Sequence, residues 1–200
     1  MGRRFVPVVE SPSQPAVEPS ERELVARARV GDADAFGEIV RRLEPRVAAT
    51  VIGMLGPGPD AEDIGQETFI RLYRALPEFR GESLLVSYVT RIAINLCQDE
   101  RRRRKRQSGI FTATARDAVD RVADPGTLRD PLAERDLVQH GLQELPTEYR
   151  EVIVLRLIDG LSTRETAQIL NLPEGTVTSR LARGQMRLRD LLKPLLERKP

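Results

Sequence analysis

Tryptophan is absent from the chain, cysteine and histidine occur once each, and aromatic residues make up 4% of it. Each scarcity excludes something. A lone Cys97 allows no internal disulfide, and Cys97 with His140 cannot assemble a Cys/His metal cluster. Few aromatics and many Leu, Val, Ile and Ala favour helices packed on aliphatic faces over a β-sandwich. No apolar run approaches the ~20 residues of a membrane span, and the Pro-rich start lacks the apolar core of a signal peptide. Phosphate loops of the Walker type, H-E-x-x-H and a Ser/His/Asp set are also missing, so catalysis has no visible home and no cofactor is expected. These absences point to a soluble, cytoplasmic, non-enzymatic protein without membrane insertion.

What is present is helical periodicity and segregated charge. The net charge of +2 sums segments of opposite sign. Arg101 to Arg106 is an unbroken run of cations, whereas Asp60, Glu62, Asp63 and Glu67 cluster without a base between them. Residues 1–20 carry four prolines and little periodicity, which predicts a disordered arm. From Glu21 apolar residues recur at three- and four-residue steps: Leu24, Val25, Ala28, then Ala35, Phe36, Ile39, Val40, Leu43. Gly31-Asp32 reads as a helix break, and Gly56-Pro57-Gly58-Pro59 as a helix end. Two further helices follow, one from Asp60 to Pro77 and one from Ser83 to about Arg104 with Leu85, Val89, Ile92, Ala93 and Leu96 on its buried face. This predicts a four-helix unit over 21–106, a flexible linker over 107–131 and a second helical unit over 132–200. The expected fold is all α, two small helical domains. Leu137, Leu142, Leu145, Val152, Leu155 and Leu157 are the core candidates of the second.

Ser162-Thr163-Arg164-Glu165 has the form of a capping box, in which hydroxyl and carboxylate satisfy backbone donors at a helix start. The short helix, the turn at Asn171-Leu172 and the helix opened by Pro173-Glu174 have the dimensions of a helix-turn-helix. Val177, Leu181 and Leu188 are expected to face the first of these helices. That turns Thr176, Ser179, Arg180, Arg183 and Arg187 outward, as hydroxyls and guanidiniums that can meet base edges and phosphates. A second basic face combines Arg91, Asn95, Asp99 and Arg102, which lie three or four residues apart on one helix. A solvated basic tail is the plainer reading of that run. The acidic helix is read as a solvated face or as a dock for a basic partner, because carboxylates scattered around one axis do not converge on a metal.

The stretches DAEDIGQETFIRLYRALPEFRGES and RIAINLCQDERRRRKR resemble region two of extracytoplasmic-function sigma factors. LPTEYREVIVLRLIDGLSTRETAQILNLPEGTVTSRLARGQMRLRDLL resembles their region four. The resemblance spans Glu21 to Leu192 in the family's order. It implies an alternative sigma factor that binds core RNA polymerase, recognises particular promoters and helps to melt them, under an anti-sigma factor. Asp63, Gln66, Glu67 and Phe69 would then dock on the β′ coiled coil, and Leu145, Arg150, Val152 and Leu155 would engage the β flap. Phe79, Arg80, Gly81, Glu82 and Ser83 would capture a flipped base of the minus-ten element, with Tyr88, Arg91, Asn95, Asp99, Arg101 and Arg102 along its single strand. The minus-35 duplex would be met by Ser162, Thr163, Thr176, Thr178, Ser179, Arg180, Ala182, Arg183 and Arg187. Leu84, Leu85 and Val86 depart from the family's pattern, as does Tyr88 in a place usually given to Trp and Thr178 where Arg is frequent. A conventional helix-turn-helix regulator binding operators without polymerase is the alternative; it leaves the acidic helix unused.

Overall fold

The computed structural model describes residues 19–81, 84–110 and 131–196. Most of the expected arm, residues 111–130 of the expected linker, and Glu82 and Ser83 lie outside the described residues. Those described form helices and no strand, in the order α1 (Glu21–Arg29), α2 (Ala33–Leu55), α3 (Pro59–Ala75), α4 (Leu85–Ile110), α5 (Pro131–Glu144), α6 (Thr147–Ile153), α7 (Thr163–Leu170) and α8 (Glu174–Leu196).

Local chemistry sets the helix ends. Ser20 Oγ accepts from the Glu23 amide and Asp32 Oδ1 from the Ala35 amide, so the first two helices each start on a side-chain cap. Asp32 also takes the Arg27 guanidinium at 2.8 Å, tying the start of α2 to the end of α1. α2 continues through Pro45 and carries both apolar stripes, Ile39 and Leu43 followed by Val47 and Val51, on one buried face. It stops at Gly56, whose φ of 86° a residue with a Cβ rarely adopts, and α3 starts with Pro59 in its first turn. α4 extends to Ile110, beyond the expected end near Arg104, because the arginine run is itself a good helix former.

Leu24, Ile39, Val51, Leu72, Leu85 and Val89 fill the centre of the first unit. Burying each such side chain contributes about 1.5–3 kcal/mol. Cys97 belongs to this core, and burial pushes its thiol up to about 12, so it stays protonated and unreactive. In the second unit Leu142, Leu145 and Ile153 pack with Leu181 and Leu188, while Val152, Ala167 and Val177 form the contact between α6 and the last two helices. Leu188 thus packs on α5 at Gly141, not on α7 as its spacing suggested.

One further core expectation fails, for a physical reason. Leu157, expected in the core, is 53% exposed. The helix widens after α6 into one π turn, Val154–Ile158, closed by the Asp159 amide on the Val154 carbonyl, and the added residue rotates Leu157 outward. The two helical units expected on either side of a linker are present, and they also pack on one another: Val154, Leu155, Leu161 and Ile169 enter the same cluster as α2 and α4.

Candidate nucleic-acid and partner interfaces

The helix-turn-helix is built as its capping residues require. Ser162 Oγ accepts from the Glu165 amide at 3.2 Å, and Glu165 returns the bond by accepting from the Ser162 amide at 2.8 Å. The Ser162 hydroxyl, which donates to the carboxylate at 2.6 Å, and then the Ser162 amide hold the Glu165 carboxyl below its ordinary range. Asn171, at φ 52°, makes the left-handed turn that ends α7. Replacing Ser162 with alanine is expected to cost about 1 kcal/mol, visible as a fall of about 2–4 °C in the unfolding midpoint.

Val177 is buried beneath α8, which leaves Thr178, Ser179, Ala182, Arg183 and Arg187 exposed and Thr176, Thr163 and Arg180 half-buried. The Thr178 hydroxyl donates to the Glu174 carbonyl at 3.1 Å and the Ser179 hydroxyl to the Thr176 carbonyl at 3.0 Å. Either group must rotate to read a base. Arg187 lies over the Tyr149 ring at 5.0 Å, so α6 fixes where its charge is presented.

On α4, Arg91, Asn95, Asp99 and Arg102 share an exposed face, with Arg102 paired to Asp99 at 3.1 Å. Tyr88 packs against Phe79 with ring centroids 5.0 Å apart, both half-buried, beside the exposed Arg80 and Gly81. Arg101 is not part of this face. It turns inward, donating to the Met54 carbonyl at 3.3 Å and to Thr147 Oγ1 at 2.7 Å, and burial lowers its pKa. The rest of the cation run is partly neutralised: Glu100 pairs with Arg103 and Arg104, and Arg104 also reaches Asp60.

Asp63 and Gln66 on α3 are exposed, while Glu67 and Phe69 are half-buried and Glu67 is paired with Arg71 at 2.8 Å. Gln66 and Phe69 line an apolar groove of about 660 Å³ between α2 and α3, with Val40, Ile52 and Ile70. An acidic rim over an apolar floor fits a cationic helix with an apolar edge. Among the described residues no cluster of His, Cys, Asp or Glu is placed to hold a metal, and no helix is long and apolar enough to cross a membrane.

Leu145, Arg150, Val152 and Leu155 are all buried. Leu145 and Val152 belong to the second unit's core, and Leu155 packs against the first unit. Arg150 is a buried clamp: Nη1 donates to the Met54 carbonyl at 2.9 Å and Gln143 Oε1 at 2.7 Å, and Nη2 to the carbonyls of Leu145 and Gln143. Burial brings its pKa down to about 10. The apolar side chains offered to solvent in this stretch are Leu157 and Ile158, which periodicity missed because the π turn shifts the register.

Thr50 on α2 donates to Asp159 Oδ1 at 2.9 Å across the contact between the units. Burial raises the Asp159 carboxyl to about 6, against the opposing effects of the Thr50 bond and Arg46. Its contribution to the packed arrangement is therefore fully present below the ordinary value of 3.8 and lost as pH rises through about 6. Glu151, bonded to Gln98 and raised by burial, acts in the same sense. Asp159→Asn is expected to flatten the pH dependence of unit packing between pH ~4 and ~7, as read by fluorescence transfer between labels on the two units.

Comparison with known proteins bears on both halves of the chain. Residues 39–107 match the family model of sigma-70 region 2 and residues 135–188 that of sigma-70 region 4. The chain is 34% identical to the ECF RNA polymerase sigma-E factor of Escherichia coli strain K12, over 90% of this chain and 97% of that one. It is 32% identical to the RNA polymerase sigma-H factor of Pseudomonas aeruginosa, covering 88% and 95%. Among solved structures it is similar to CnrH in complex with the cytosolic domain of CnrY, with a TM-score of 0.63, 29% identity and coverage of 87% and 97%. It is also similar to the sigma factor RpoE in complex with the anti-sigma factor NepR from Bartonella quintana, with a TM-score of 0.66, 26% identity and coverage of 80% and 98%.

Proposed function

The chain belongs to the extracytoplasmic-function sigma factors of the sigma-70 family, and on that footing we propose that it binds core RNA polymerase in the cytoplasm and directs it to promoters carrying two elements. One observation supports this above the others. An exposed acidic and apolar α3 face and a capped helix-turn-helix with an exposed guanidinium row occur in one chain, in the family's order. Asp63, Gln66, Glu67 and Phe69 dock on the β′ coiled coil. Leu157 and Ile158, being the exposed apolar pair, take the flap contact that the buried Leu145, Arg150, Val152 and Leu155 can only support from beneath. Region two spans 21–106 and region four 132–200.

Tyr88, Phe79, Arg80 and Gly81, with Glu82 and Ser83, receive the unstacked minus-ten base, and Arg91, Asn95, Asp99 and Arg102 follow its strand. Arg183 and its neighbours on α8 enter the minus-35 major groove. Binding, not catalysis, is the whole of this role, and no cofactor enters it. An anti-sigma factor controls the chain, in keeping with the partners named for CnrH and RpoE. A regulator acting on operators without polymerase has no use for the α3 face.

The test is association of the purified chain with bacterial core polymerase, followed by co-elution on a sizing column. A stable one-to-one complex that is absent when α3 carries the wrong charge supports the reading. Tight duplex binding by the free chain without any association with core contradicts it.

A further inference from the structure

The cations of α8 are not equivalent. Val177, Leu181, Gly184 and Leu188 turn inward, and at about 100° per residue Ser179, Ala182 and Arg183 fall on the far side of the helix. Arg187 lies about a quarter turn from the buried face, on the flank beside α6. A close approach of the two helices sets its place. A Cβ on Gly184 would sit 3.0 Å from Ile153 Cδ1 and 3.1 Å from Tyr149 Cβ, so α6 crosses α8 where a larger residue would push it away. Three residues on, the Arg187 guanidinium lies over the Tyr149 ring, 5.0 Å from its centroid. Tyr149 is 9% exposed and fixed by packing, whereas Arg187 is exposed and rests on the ring from the solvent side. Among the described residues no carboxylate pairs with Arg187, so its charge is not neutralised.

We propose that Tyr149 and Arg187 form an anchor for one DNA backbone phosphate at the edge of the minus-35 site. Arg187 makes the contact, and Tyr149 is the positioning residue that holds it there. The inference rests on the minus-35 role of α8 and deepens it, separating the residue that grips the backbone from those that meet bases.

Dimensions assign the role. A helix with its side chains is about 10–12 Å across and the major groove about 12 Å wide. Residues opposite the buried face therefore meet base edges, while residues on the flanks meet the groove walls, which are phosphates. Arg187 is also about 6 Å further along the axis than Arg183 and about 20 Å from the helix start, whereas recognition helices reach bases with their N-terminal residues. A free arginine loses rotamer freedom when it takes a phosphate; one already seated on an aromatic face has lost part of it on folding. A neutral ring orients the guanidinium without cancelling its charge, as a carboxylate would.

The experiment uses the full chain bound to core polymerase. Its probe is a duplex selected by that holoenzyme from a random-sequence pool, titrated between about 50 and about 200 mM salt. Arg187→Ala is expected to weaken binding about tenfold at the low end and about threefold at the high end, because losing one phosphate contact lowers the salt slope by about 0.9. The loss is the same on duplexes with substituted minus-35 bases. Tyr149→Leu is expected to weaken binding about threefold, and Tyr149→Phe, which keeps the ring, by less than about 1.5-fold. In the Arg187→Ala background Tyr149→Leu adds nothing, whereas a merely structural tyrosine weakens both backgrounds equally. An unchanged salt slope for Arg187→Ala, a loss confined to one base substitution, equal losses from the two Tyr149 variants, or additive losses in the double variant overturns the anchor. Arg183→Ala separates the two failures. If it weakens binding and Arg187→Ala does not, the anchor falls and the minus-35 role stands; if neither matters, or no duplex is retained, both fall.

Discussion

Replacing Arg150 with alanine is expected to destabilise the chain by about 3 kcal/mol, a fall of about 6–12 °C in the unfolding midpoint. The guanidinium satisfies carbonyls of Met54, Gln143 and Leu145 at once. Arg101 still reaches Met54, but among the described residues no other side-chain donor is seen on the Gln143 or Leu145 carbonyl. Leaving buried acceptors unpaired costs about 1–3 kcal/mol each, more than the desolvation relieved by removing the charge. Lysine recovers only part of the loss, because a compact ammonium cannot span the fork that a planar guanidinium fills. Thermal melts of the three proteins followed by circular dichroism check this. A melt of Arg150→Ala within about 1 °C of wild type shows that the clamp contributes nothing.

Reversing the charge of Asp63 is expected to weaken binding to core polymerase by about 100-fold with the melt unchanged. Asp63 is exposed on α3, next in sequence to Glu62, which lines the α2–α3 groove with Gln66, and Asp63→Lys removes an attraction and sets like charges against each other. Like-charge juxtaposition at an interface costs several kcal/mol, whereas a surface substitution changes stability by about 0.5 kcal/mol or less. Glu67 is the poorer choice for this test, since its pairing with Arg71 confounds loss of docking with loss of a helix contact. Fluorescence anisotropy of labelled chain titrated with core polymerase gives the ratio. An unchanged dissociation constant contradicts docking through α3.

How far the sequence led is clearest at Ser162 and Arg150. The capping box, the break at Gly31-Asp32 and the stop at Gly56 are local: each is written in adjacent residues and obeys hydrogen-bond or φ constraints that hold in any context. The all-α fold and the outward row on α8 followed from periodicity for the same reason. Arg150 and Arg101 look like surface cations because nothing near them in sequence shows the acceptor they share, the Met54 carbonyl, which lies 96 and 47 residues away. The π turn that exposes Leu157 and Ile158 likewise has no signature in the alternation of apolar residues. The seam between the units was not legible either. Its matched pairs, Thr50 with Asp159 and Gln98 with Glu151, unite residues 109 and 53 positions apart, a pairing that no local pattern shows.

The most direct measurement is transcription in vitro with core polymerase on a pool of genomic promoter fragments, with and without the chain, mapping the start of every transcript. The account predicts new starts that share two upstream elements, appear only with the chain, and vanish with Asp63→Lys at a concentration that saturates the wild type. Start sites identical in the presence and absence of the chain would contradict it.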